Sequence, residues 1–179
     1  MKKILILAFL FVSTLSWGQK YGVEKSSIMF FSKTPVEDIN AKNTAVNSLF
    51  NSATGDIAFS MMMKDFEFKK SLMKEHFNEK YLETDKFPKS TFQGKLIGYS
   101  VEKAGMQEVK GSGKLTIHGV TKEVETTGTV EFVNGKAIAK SKFIVLLKDY
   151  DIKIPQLLWK NIAESIDVTI DLTYKPTEK

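Results

Sequence analysis

Side chains able to do acid–base or metal chemistry are few here: two histidines, His76 and His118, and no cysteine among 179 residues. Neither the Gly-x-Ser-x-Gly turn that exposes a nucleophilic serine nor the His-Glu-x-x-His helix that binds zinc occurs. His76 stands in Glu75-His76-Phe77-Asn78-Glu79, where Glu79, three residues on, shares its helical face. One imidazole and one carboxylate fall short of a metal site. His118 lies between Ile117 and Gly119 in a predicted turn, where a ring nitrogen bonded to backbone is the economical account. Asp149 and Asp151 flank Tyr150, and a solvated loop explains them better than an acid–base pair. The pattern points away from an enzyme and requires neither metal nor cofactor.

All 26 basic residues are lysine. Without arginine, the bidentate fork that reads guanine and phosphate is missing. The lysines alternate with acids, as in Lys64-Asp65, Glu102-Lys103 and Lys122-Glu123, so a mixed-charge surface is expected and nucleic acid is not a partner. The chain opens Met1-Lys2-Lys3, runs through apolar Ile4 to Val12 and reaches Ser16-Trp17-Gly18 before Gln19. That is the pattern of a signal peptide over residues 1–18. Its apolar run of about nine residues is far short of the roughly 20 that span a bilayer as a helix. The expectation is a cleaved leader and a periplasmic or secreted domain over residues 19–179 with no stable membrane insertion. Losing Lys2 and Lys3 lowers the formal net charge from +5 to +3. Lacking disulfides, the domain depends on packing, and about 150 residues suffice for one core.

The elements that must position any site read mostly as strands. Ile166, Val168, Ile170, Leu172 and Tyr174 alternate with Ser165, Asp167, Thr169, Asp171 and Thr173, the signature of an antiparallel strand with one wet face. Eight such runs are expected, near residues 21–31, 38–49, 56–66, 90–101, 107–117, 122–133, 136–147 and 164–174. Asn134-Gly135 is the strongest hairpin signal, since a type I′ turn needs positive φ at both central residues. Glycines inside several runs favour a sheet bent into closure. Short helices are expected over residues 69–82 and 155–163. The fold class is therefore all-β with minor α: an eight-stranded antiparallel barrel. Eight strands can fill their interior or enclose one small ligand. Phe59, Met61, Met62, Met63, Phe66 and Phe68, followed by Leu72, Met73 and Phe77, suit either a packed core or an adaptable wall.

The run from Leu72-Met73-Lys74-Glu75-His76-Phe77 to Phe87-Pro88-Lys89-Ser90-Thr91-Phe92, answered by Gly113-Lys114-Leu115-Thr116-Ile117-His118-Gly119-Val120-Thr121-Lys122, resembles the YceI-like family of polyisoprenoid-binding proteins. The resemblance covers most of the chain after the leader. It implies an extended, lipocalin-like barrel holding an isoprenoid or other long-chain lipid in an elongated apolar cavity, and export to the periplasm. On that reading the wall is Phe59, Met61, Met63, Phe66, Phe68, Leu72, Phe77, Phe92, Leu115, Ile117, Phe143, Val145, Ile166 and Val168. Lys70-Ser71 stands where many members carry Arg-Asp, which removes an arginine from any head-group contact. Binding would be partitioning: at about 0.8 kcal/mol per buried methylene, eight contribute roughly 6 kcal/mol. A homodimer is left open. The alternative is a stress-related envelope protein whose barrel is a docking platform, with Leu157, Leu158 and Trp159 as its exposed apolar patch.

Overall fold

The alternation closes into a tube. In the computed structural model, which describes residues 19–35, 37–154 and 163–177, the order of elements is β1 (Lys20–Ser32), β2 (Ile39–Asn43), β3 (Asn47–Asn51), β4 (Asp56–Met62), β5 (Glu67–Phe68), α1 (Ser71–His76), β6 (Lys89–Ile97), β7 (Met106–Ile117), β8 (Val120–Val133), β9 (Lys136–Leu146) and β10 (Ser165–Pro176). All ladders are antiparallel. Strands β1, β3, β4, β6, β7, β8, β9 and β10 follow one another around the wall, and β10 returns to β1. The predicted leader and residues 155–162 of the predicted second helix lie outside the described residues.

Two of the eight expected strands are interrupted. Residues 38–49 become β2 and β3, yet both pair with β1 in one unbroken register, Ile28 with Asn43 and Gly22 with Leu49. Side chains fill the gap: Ser26 Oγ donates to the Thr44 carbonyl at 2.7 Å and accepts from Val46 N–H at 3.2 Å. Residues 56–66 break after Met62 into a 3₁₀ turn over Met63–Asp65, and β5 pairs with β2 instead of β6. Asn43, 0% exposed, serves both breaks, accepting from Ala45 N–H and donating to the Met62 carbonyl, each at 2.9 Å. An amide that supplies both bonds leaves no buried polar atom unpaired.

Parity follows from these irregularities. A bulge between Val23 and Lys25 shifts β1 by one residue, so Tyr21 and Val23 face inward at one end, and Ile28, Phe30 and Ser32 at the other. In β9 the ambiguous run resolves with Phe143 and Val145 inside and Ile144, 63% exposed, outside. Both two-residue hairpins are of the primed kind, with positive φ at His118 and Gly119 and at Asn134 and Gly135. Outside, lysines pair with acids across strands, as in Lys140–Asp171 at 3.0 Å and Lys110–Glu125 at 2.6 Å. These pairs are exposed and contribute little stability.

One end of the tube is filled by rings. Phe50 lies within 6.4 Å, centroid to centroid, of Tyr21, Tyr99, Phe132 and Tyr174. Tyr174 is 0% exposed and its hydroxyl lies 2.6 Å from Ser48 Oγ, which donates to the Ala58 carbonyl at 2.8 Å. Burial pushes the Tyr174 hydroxyl up to about 12.

Candidate functional site

Above this aromatic plug the interior is hollow. A cavity of about 330 Å³ occupies the end of the barrel where β5 leaves β4, within the size range of small-molecule sites. Its wall is built by the inward positions of β1, β4, β7, β9 and β10, and its side by a cluster of four rings. Phe77 stacks on Phe30 at 5.5 Å and lies 5.6 and 5.0 Å from Phe66 and Phe68. The 3₁₀ turn places Phe66 and Phe68 there. It lets the chain swing away from β6, after which α1 and the π-helical turn over Phe77–Tyr81 span the gap.

Polar groups gather at the rim. Thr34, Glu37 and His76 line the cavity there. Glu37 meets Lys70 Nζ at 2.6 Å, and the Thr34 hydroxyl both donates to the Glu37 carbonyl and accepts its N–H. The two buried serines of the wall, Ser32 and Ser90, are committed to backbone: Ser32 Oγ accepts from Ala163 N–H and Ser90 Oγ donates to the Thr116 carbonyl. Burial raises the Tyr81 hydroxyl, which stays a neutral phenol at ordinary pH.

His118 works beside the cavity. Its Nδ1 donates to the Tyr150 carbonyl at 3.1 Å, its Nε2 lies 3.3 Å from the Glu83 carboxylate, and the Phe87 ring packs edge-on at 4.3 Å. A Cβ on the next residue, Gly119, would meet Phe87 Cε1 at 2.7 Å. The hairpin thus pins the segments 82–88 and 147–152 against the rim. Lys86 first, then His118, hold the Glu83 carboxyl below the usual carboxylate range. Among the described residues no group of three or more His, Cys, Asp or Glu side chains could hold a metal ion.

Twelve of the fourteen wall positions expected from the sequence line this cavity: Phe59, Met61, Met63, Phe66, Phe68, Phe77, Leu115, Ile117, Phe143, Val145, Ile166 and Val168. The other two do not line it. Leu72 is 57% exposed, because α1 turns Met73, His76 and Phe77 inward at spacings of three and four and leaves Leu72 about 100° away. Phe92 faces a second, smaller cavity of about 70 Å³ and stacks on Phe59 at 5.3 Å. The expected set lacked Ile28, Phe30 and Ile39 from β1 and β2, Ile170, and Leu147 and Ile152 from the loop after β9. In Ile28-Met29-Phe30-Phe31 no alternation shows which residues face in, and the bulge upstream has no sequence mark. Ile170 was visible, since it continues the stripe of Ile166 and Val168.

The sequence profile of the YceI-like domain matches residues 21–174. The chain belongs to the YceI-like family. Solved structures with this fold include a polyisoprenoid-binding domain from Saccharophagus degradans, with a TM-score of 0.74 and 13% identity over 88% of this chain and 98% of that one. BcnA of Burkholderia cenocepacia has a TM-score of 0.71 and 13% identity, covering 83% and 95% of the two chains. The YceI protein of Campylobacter jejuni has a TM-score of 0.58 and 14% identity, covering 99% and 100%. No curated protein matches the chain significantly. In this YceI-like barrel Glu37 is the only Asp, Glu or Lys among the described residues lining the cavity, and it is paired with Lys70. An ion pair there leaves little net charge to select a charged head group, so the wall dominates what the site can hold.

Proposed function

We propose that this protein is exported and that its barrel sequesters or carries a lipid with an isoprenoid or similar apolar tail, without transforming it. The observation that carries the reading is the chamber itself: walled by Phe, Met, Ile and Val, floored by Phe59 stacked on Phe92 and rimmed by polar groups at the other end. A tail filling it with about eleven methylene-sized groups would gain about 9 kcal/mol before the cost of association. The polyisoprenoid-binding relative from Saccharophagus degradans supports the ligand class, and the leader-like residues 1–18 support export.

Native mass spectrometry of protein purified from membrane-containing cells tests this. A bound lipid of isoprenoid or acyl mass is expected in the wild type and in Leu72→Asp, and its loss in Met73→Asp. A barrel that is always empty, and takes up no added lipid, refutes the reading. The same spectra separate monomer from homodimer. A second reading, the barrel as a protein-docking platform, is favoured by Met29, Phe31, Ile144 and Leu146, all more than a third exposed on the outer face of β1 and β9. An empty barrel that nevertheless pulls down a partner through these residues would select it.

A further inference from the structure

The two cavities are separated by side chains, not by backbone. Phe59, Leu115, Phe143 and Ile170 belong to the walls of both, with Phe59 stacked on Phe92 at 5.3 Å. The Phe92 ring lies over the glycine two residues on. A Cβ at Gly94 would come within 2.7 Å of Phe92 Cζ and 2.8 Å of Gly113 Cα, and would overlap the Ser112 carbonyl oxygen. Only glycine lets β6 and β7 approach so closely here, and the ring of Phe92 lies in the space that results. This ring stacks against Phe59.

Chamber volume then becomes a length. A cavity of about 150 Å³ accommodates benzene, about 25 Å³ per heavy atom, and a liquid water takes about 30 Å³. On either scale, about 330 Å³ takes roughly eleven to thirteen carbon atoms, and the 70 Å³ beyond Phe59 two or three more.

Resting on the lipid-binding reading, we infer that Phe59 on Phe92 is the floor of a length gauge. It sheathes about eleven to thirteen tail carbons, so the barrel discriminates among lipids by tail length and favours tails of two to three isoprene units. Carbons beyond that number stay outside the chamber and add no affinity. The head group remains at the rim near Thr34, Glu37 and His76.

Competition against a fluorescent apolar probe, using n-alkanols from eight to eighteen carbons and the prenyl alcohols geraniol, farnesol and geranylgeraniol, reads the gauge. Affinity should rise about fourfold per methylene up to eleven to thirteen carbons and then level off, with geranylgeraniol binding no tighter than farnesol. Phe59→Ala should move the break upward by at least three carbons, and the gentler Phe59→Leu by at least one. A rise that continues to eighteen carbons, or a break that stays in place in both variants, overturns the gauge while leaving lipid binding intact. Failure of every alcohol to displace the probe overturns the lipid-binding reading and the gauge with it.

Discussion

The hydroxyl of Tyr174 offers a test of the aromatic plug that fills the barrel's far end. Ser48 has a single proton and gives it to the Ala58 carbonyl at 2.8 Å, so Tyr174, 2.6 Å from Ser48 Oγ and 0% exposed, is the donor of that pair. The two truncations are therefore unequal. Tyr174→Phe removes a donor and leaves the Ser48 bond in place, at a cost of about 1 kcal/mol. Ser48→Ala strands a buried hydroxyl and also frees the Ala58 carbonyl, costing about 3 kcal/mol. The double variant no longer strands the hydroxyl and should cost about 2 kcal/mol, less than Ser48→Ala alone. Urea unfolding at pH 7 gives all three values, and additivity within about 0.5 kcal/mol would refute the donor chain. An alkaline arm follows from the hydroxyl pushed up to about 12 against 10.0 in the unfolded chain. With the folded value raised, its contribution is complete below pH 10 and is lost as pH climbs toward 12. Over that window the wild type should lose about 3 kcal/mol relative to Tyr174→Phe, while lysine titration is common to both. A pH-independent difference between the two would sink the assignment.

Two further outcomes are expected. Gly94→Ala should destabilise by about 3 kcal/mol, at the upper end for overpacking, because its Cβ collides with strand backbone as well as with Phe92; a loss below about 0.5 kcal/mol in denaturant unfolding would contradict the close approach of β6 and β7. The Glu83 carboxyl is held low by Lys86 and His118, so its stabilising contribution is present above the unfolded carboxylate value of 4.5 and fades as pH falls below it. Thermal melts should show the wild type above Glu83→Gln at pH 7 and level with it near pH 3; a gap that persists in acid counts against the contact.

Most of the tube was legible because its strands are wet on one side. In β10, five apolar residues from Ile166 to Tyr174 alternate with polar ones, and hydration alone decides which face turns in. The same rule is silent where both faces are apolar. Nothing in Phe143-Ile144-Val145-Leu146-Leu147 marks Ile144 as outward, since its side is set by the register with β10. The interruptions at residues 44–46 and 63–65 were hidden for a different reason. Ser26 reaches the first from 18 and 20 residues away, and Asn43 holds the Met62 carbonyl before the second from 19 residues away; the local sign of the first, Asn43 accepting from Ala45 N–H as in an Asx turn, is lost inside an otherwise strand-like run. Leu72 and Met73 show the limit for helices: adjacent apolar residues both fit a stripe, and only the docking angle of α1 separates them.

Strand β5 hangs from the sheet by two residue pairs, Ala41 with Phe68 and Lys42 with Glu67, while every neighbour in the closed wall is stitched more firmly or on both sides. The sleeve therefore has one loose lapel, sewn at the end where the chamber opens. Thermal breathing would begin there, and the amides of Glu67 and Phe68 would exchange with solvent before those of β7 or β8. Fraying there would shift Phe66 and Phe68, two of the rings in the chamber's side, while the rest of the wall keeps its shape.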